Sequence, residues 1–281
     1  APATVAAALA EHPNARAVFV GDPSYVGTVG DVAGLADAAH HHGVPLIVDA
    51  AWAAHFGFHP DLPAHPMALG ADAMVTSAHK TLPAWSQAAI ILANTERIDA
   101  SRLDAAVEAT ATTSPAGAIL ASIDASRALL ARDGEALLGT AIAATRAARD
   151  HLRQVPGLTV VDGPHVDPAK LILVLSGTGA DGNAIEQDLL LAGMPVESAD
   201  RDVLIAIVSL ADTVEGVTRL ADAIAASVER HRSAPRPVVG AASYSVDPVT
   251  VMPPRQAFFS AATPVPVEDA VGRVSAELIA P

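Results

Sequence analysis

The sequence predicts an α/β protein: a first domain built on a mostly parallel sheet, a smaller α/β lobe after it, and a C-terminal segment. Three observations predict this. Short apolar runs with the length of strands, residues 15–21, 44–49 and 73–76, alternate with helical stretches in the first half of the chain. Pro156-Gly157 breaks a long alanine-rich helical region, after which strand-like and helix-like runs resume in a new order. From Pro235 the chain becomes rich in proline. The expected boundaries are 1–150, 151–233 and 234–281.

The elements follow in order. Residues 3–11 form an alanine-rich helix stopped by Pro13, and 15–21 a buried strand. The loop Asp22 to Gly27 stands at that strand's carboxyl end and, with its Pro, Ser and Gly, reads as a turn. A helix over 31–42 has Asp31 as N-cap and Gly43 at C′. His40, His41 and His42 lie in its last turn, point in different directions and suit the helix dipole rather than a metal. The strand over 44–49 completes a strand-helix-strand unit. Residues 56–71 are irregular, and the strand over 73–76 delivers Ser77, His79 and Lys80. A strand over 88–93 runs away from that point. Helices are expected over 99–108, 116–132 and 137–152. In the smaller lobe strands are expected over 158–161, 170–175 and 203–208, and helices over 185–191 and 214–229. Lys170 starts a strand and reads as structural. Pro235 to Pro237 marks a linker, and the chain closes on a short helix over 267–278.

Composition narrows the function. A formal charge of −14 argues against nucleic acid or an anionic membrane as partner. No apolar run approaches the roughly 20 residues of a spanning helix. The chain has no cysteine, hence no disulfide and no thiol chemistry, which fits a cytoplasmic protein. The alanines at the N-terminus have no basic region before them, unlike a signal peptide.

The chemistry concentrates at two strand ends. In an open α/β sheet, ligands bind beyond the carboxyl ends of the strands. Asp49 ends one apolar run, and Lys80 follows another. Of the seventeen basic residues only Lys80 and Lys170 are lysines, and only lysine can lose its proton and form a Schiff base. An Asp and a Lys so placed suit pyridoxal 5'-phosphate: the carboxylate keeps the pyridine nitrogen protonated, and the lysine holds the aldehyde and shuttles protons. In an intact version of the protein, burial among apolar strands is expected to lower the Lys80 amine's proton affinity. Taken singly, the two residues read as a helix cap and a surface lysine.

Ser77 to Gln87 (SAHKTLPAWSQ) resembles the lysine motif of the Orn/Lys/Arg decarboxylases, and Asp49 to Pro60 (DAAWAAHFGFHP) resembles their aspartate motif. Thr112 to Pro115 (TTSP), Ala121 to Arg127 (ASIDASR) and Met252 to Phe259 (MPPRQAFF) resemble later motifs in the same order. The resemblance implies a fold-type-I pyridoxal phosphate enzyme that decarboxylates arginine, lysine or ornithine. It implies Lys80, Asp49 and His79 as catalytic residues, and cofactor contacts from Ala51, whose methyl leaves room for the ring, and from Trp52. Ser77 and His79 are the implied phosphate contacts. Thr113 and Ser114 either cap the following helix or reach the phosphate of a partner subunit, so a homodimer or higher oligomer is expected. His55 is either a site residue or a packed histidine, and Arg255 either faces the site or holds a domain contact. The sequence departs from the family pattern at Ala78, at Trp52 and at Ala116-Gly117.

Family members carry a further part of the cofactor domain before the equivalent of Ala1, with a phosphate-binding turn and a ring-stacking aromatic. The sequence therefore reads as a truncated member. Another fold-type-I reaction, such as transamination, uses the same Asp and Lys. A non-catalytic remnant that folds and dimerises is the reading from a different class.

Overall fold

The computed structural model describes residues 1–94, 96–237 and 249–275. The chain divides into two compact units, Ala1–Val238 and Val239–Pro281. The first holds two four-stranded sheets.

The first sheet has the order β1-β2-β3-β4, with β1 Val18–Gly21, β2 Leu46–Asp49, β3 Ala73–Ser77 and β4 Ala89–Ala93. The first three strands are parallel, and β4 returns antiparallel to β3. Helices α1 (Pro2–Glu11) and α2 (Val32–His41) precede β1 and β2. Asp31 accepts a hydrogen bond from Gly34 N, which fixes the start of α2. Gly43, at φ +72°, reverses the chain after the helix. Register sorts the sheet into two faces. Val18, Leu46, Val48 and Met74 are buried in one cluster with Val32, Ala36 and Ala39 of α2. The opposite face presents Phe19, Ile47, Val75 and Ile91, with Phe19 66 % and Ile91 49 % exposed.

Asp72, just before β3, fastens this assembly. Its buried carboxylate accepts from Leu46 N at 2.8 Å, meets His40 Nε2 at 2.7 Å and pairs with Arg97 at 3.2 Å. Desolvation pushes the carboxyl up, but the His40, Leu46 and Arg97 contacts together outweigh it and hold it below the usual value. Asp72→Ala is expected to cost about 3 kcal/mol in urea unfolding at pH 7. Because the folded carboxyl titrates below the unfolded one, near 3.9, this contribution is present above that value and lost as pH falls through the folded value. The gap between wild type and variant should therefore close on acidification.

After the one-turn α3 (Ala78–Thr81), α4 (Ala100–Thr110) and α5 (Gly117–Leu152) follow. The two helices expected over 116–132 and 137–152 are one continuous helix of 36 residues. Its internal glycines are sites of close approach: a Cβ at Gly134 would meet the Leu130 side chain at 3.3 Å, and one at Gly139 would meet His59 Nε2 at 3.1 Å. The end of α5 supplies Ala141, Ala144, Ala148 and Leu152 to the core of the second sheet. That sheet, of order β5-β6-β8-β7, is antiparallel throughout: β5 Thr159–Val161, β6 Lys170–Val174, β7 Ser198–Ala199 and β8 Val203–Ile207. Helices α6 (Gly182–Leu191) and α7 (Val214–Arg230) cover it. The two-residue β7 has no counterpart among the expected strands. Arg236, within the expected linker, is fastened to the second sheet's connections, donating to Asp202 at 2.8 Å and to Ala180 O at 2.7 Å.

The second unit contains α8 (Pro254–Phe258) and a 3-10 turn, Val267–Asp269. The helix expected over 267–278 is limited to that turn within the described residues, and Gly272 at φ +81° takes the chain out of helical geometry; residues 276–278 lie outside them.

Candidate active site

Asp49 and Lys80 stand beyond the carboxyl ends of adjacent parallel strands. The register pairs Asp49 with Val75, and Ala50 N donates to Val75 O at 2.8 Å, so both chains leave the sheet at one edge. Past β2 the chain turns, and Asp49 Oδ1 accepts from Ala51 N at 3.1 Å. The other carboxylate oxygen has no partner among the described residues. Past β3 the chain enters α3 directly, with Ser77 at its N-cap and the Ser77 hydroxyl not spent on a capping bond. His79 Nδ1–H donates to Ala88 O at 2.8 Å, which fixes the ring and leaves Nε2 free. Lys80 is exposed, and its Nζ lies 4.7 Å from the centroid of the Trp52 ring. Among the described residues that ring is its one contact of this kind, and no hydrogen bond or ion pair holds the amine. Asp49, Ala51, Trp52, Ser77, His79 and Lys80 thus come from two neighbouring strand ends, and the Trp52 ring bridges them.

The buried lysine is Lys170. Lys80 projects from a one-turn helix beyond the sheet and is exposed. Lys170 opens β6 and is 0 % exposed. Its Nζ donates to Tyr25 O at 2.7 Å and lies 4.4 Å from the Trp52 centroid. Desolvation lowers its proton affinity, while Asp167 and Glu197 oppose that shift. Tyr25 packs edge-on against Trp52, centroids 5.5 Å apart, and its hydroxyl donates to Glu197 at 3.2 Å. Tyr25 therefore belongs to the site region, whereas Ser24 makes a turn bond to Thr28 at 2.6 Å. Gly27 is required by the contact: it has φ +100°, and an added Cβ would fall 2.7 Å from Lys170 Cδ.

His55 is a packed histidine. It is buried against Phe56 and pairs with the buried Asp167, Nε2 to Oδ2 at 3.2 Å. Burial pushes the Asp167 carboxyl up, but His55, Ala169 N and Lys170 bring it net below its usual value. Arg149, also buried, donates to Asp167 O at 2.9 Å and Lys170 O at 2.6 Å, and so holds the turn from which β6 starts. Thr113 and Ser114 lie in the exposed loop before α5, and no contact joins them to Asp49 or Lys80 among the described residues. They do not cap α5, whose N-cap is Ala116 without a side-chain bond. Arg255, in the second unit, stacks over Phe259 at 5.3 Å.

A sheet with an aspartate and a lysine at neighbouring parallel strand ends, followed by a smaller antiparallel lobe, is the fold-type-I arrangement of pyridoxal phosphate enzymes. Solved structures with this fold include the lysine decarboxylase of Francisella novicida, with a TM-score of 0.58, 20 % identity, and coverage of 73 % of this chain and 35 % of that one. The constitutive lysine decarboxylase of E. coli gives 0.61 and 19 %, covering 75 % and 36 %. Pyridoxamine-pyruvate aminotransferase from Mesorhizobium loti gives 0.63 and 17 %, covering 82 % and 64 %. Residues 1–177 match the family model described as Orn/Lys/Arg decarboxylase, major domain, and the chain belongs to that family. An arginine decarboxylase of Halalkalibacterium halodurans is 33 % identical over 284 residues, 97 % of this chain and 57 % of the relative. One from Bacillus subtilis is 29 % identical over 290 residues, 97 % and 58 %. The chain thus spans under two thirds of the length of these curated relatives.

Proposed function

We propose that the chain carries the reacting centre of a pyridoxal 5'-phosphate-dependent decarboxylase that converts arginine, lysine or ornithine to the amine and CO2. The observation that carries this reading is the pairing of β2 with β3, which brings Asp49 and Lys80 to one sheet edge with Trp52 between their loops. Family membership and the names of the curated relatives favour decarboxylation over transamination.

The residues suit the cofactor. Among the described residues Lys80 offers an exposed amine without a hydrogen-bond partner and Asp49 an unpaired carboxylate oxygen, and Ala51 carries only a methyl. Ser77 Oγ and His79 Nε2 are the groups for the phosphate; with Nδ1–H spent on Ala88 O, the His79 ring donates from Nε2 only when protonated. When bound, the cofactor supplies an electron sink for the carbanion left by loss of CO2. The side chains do the rest. Lys80 Nζ would hold the cofactor and, as a free amine, would serve as a base beside the substrate. Asp49 keeps the pyridine nitrogen protonated. Lys80 Nζ would be the group that returns a proton to the α-carbon. The acidic balance of the chain is compatible with a cationic substrate.

In the assembly we propose a homodimer or higher oligomer in which Thr113 and Ser114 reach the phosphate of the partner. Their exposure and freedom from capping support this, and so does the exposed apolar sheet face carrying Phe19 and Ile91. Among the described residues no helix is long and apolar enough to cross a membrane. We place the protein in the cytoplasm, in keeping with its lack of cysteine.

The test is product analysis with the cofactor added. Arginine, lysine and ornithine are supplied in turn, and amine and CO2 are expected in equal amounts from one of them. Keto acid without CO2 would assign transamination. No product from any amino acid would favour the non-catalytic reading.

A further inference from the structure

Trp52 carries two ammonium groups, from the chain's only two lysines. They differ in freedom. Lys80 is exposed and has no polar partner among the described residues. Lys170 is fully buried, bonded to Tyr25 O, and packed into the gap left by Gly27. A cation on an aromatic face is held more strongly when desolvated. The indole is therefore fixed from the Lys170 side, with the Tyr25 ring as a second support. Lys170 is in turn set by its backbone: Arg149 holds its carbonyl, and its N–H donates to Asp167 O at 3.1 Å. A rigid line runs from α5 through β6 to the ring on which the Lys80 amine rests. An ammonium is costly to bury, and apolar side chains fill the following positions of β6, residues 171–174.

We propose that Lys170 is a positioning residue for Lys80, acting through Trp52: it is the buried pin by which the smaller lobe fixes the indole, and with it the place of the reacting amine. The inference rests on the reading of Lys80 as that amine. Lys170 touches neither cofactor nor substrate in this role. The titratable and charged groups around it are Arg149 of α5, Asp167 and Glu197 of its own lobe, Tyr25 and His55 on the loops after β1 and β2, and Lys80.

The test uses the full chain with Trp85→Phe, so that Trp52 is the sole indole. Pyridoxal phosphate followed by borohydride and peptide mapping gives the labelling rate at Lys80, while emission and acrylamide quenching report Trp52. In Lys170→Met, Lys80 labelling should slow by about fivefold or more, and Trp52 should become red-shifted and more easily quenched. Lys170→Arg, which keeps a cation, should recover most of both. A folded Lys170→Met protein with labelling unchanged overturns the proposal, whatever the emission does. If Lys170→Met does not fold, the Trp85→Phe, Lys80→Met protein is titrated instead. Trp52 emission should then show a step below the ordinary lysine value near 10.4, as Lys170 loses its proton. Burial pushes the Tyr25 hydroxyl above its usual value. Flat emission below the ordinary lysine value overturns the proposal. Neither measurement depends on CO2 release, so a failed decarboxylase reading is distinguishable from a failed role for Lys170.

Discussion

Lys80→Ala is expected to abolish both covalent capture of pyridoxal phosphate and release of CO2, with turnover falling by about 10⁴-fold or more. The size follows from the two duties of one group. In the proposed reaction Lys80 Nζ would be the nucleophile that holds the cofactor, and also the base and acid beside the α-carbon. The only other lysine, Lys170, cannot substitute, because it is buried and bonded to Tyr25 O. The effect should be chemical and not structural. Lys80 is exposed, and its contact with the Trp52 ring is worth about 1 kcal/mol or less at an exposed site. Thermal unfolding of Lys80→Ala should therefore match wild type within a few degrees, while the cofactor absorbance shift and CO2 release both disappear.

Asp49→Asn should lower turnover by about 10²–10³-fold while covalent capture at Lys80 survives. The amide oxygen can still accept the hydrogen bond from Ala51 N, so the turn after β2 is kept. What is lost is the negative charge that keeps the pyridine nitrogen protonated, and without it the ring accepts electrons poorly. Asp49→Ala removes the Ala51 bond as well, and should add a stability loss of about 1 kcal/mol to the same catalytic defect. Equal stability and unequal turnover between wild type and Asp49→Asn is the expected signature. A variant with wild-type turnover would remove Asp49 from the mechanism.

These two residues were legible because local signals place them. An apolar run followed by a polar turn predicts a strand end, and strand ends of an α/β sheet are where ligands bind. Asp31 and Gly43 each do what their local chemistry predicts. Lys170 was read as structural because nothing near it in sequence marks it. Its contact is with Tyr25, 145 residues away, and depends on how β6 lies against the loop after β1. Its rarity as one of two lysines was the one available signal. The His55–Asp167 pair is hidden for the same reason, at a separation of 112 residues. The unbroken α5 escaped because glycine disfavours helix interiors. At Gly134 and Gly139 that cost is offset by contact with Leu130 and His59, which only the folded chain reveals.

The most direct test is borohydride reduction of the wild-type chain with pyridoxal phosphate, followed by digestion and peptide mapping. A single labelled peptide is expected, bearing the cofactor on Lys80 at one per chain. Label on Lys170, or saturation with no lysine modified, would contradict it.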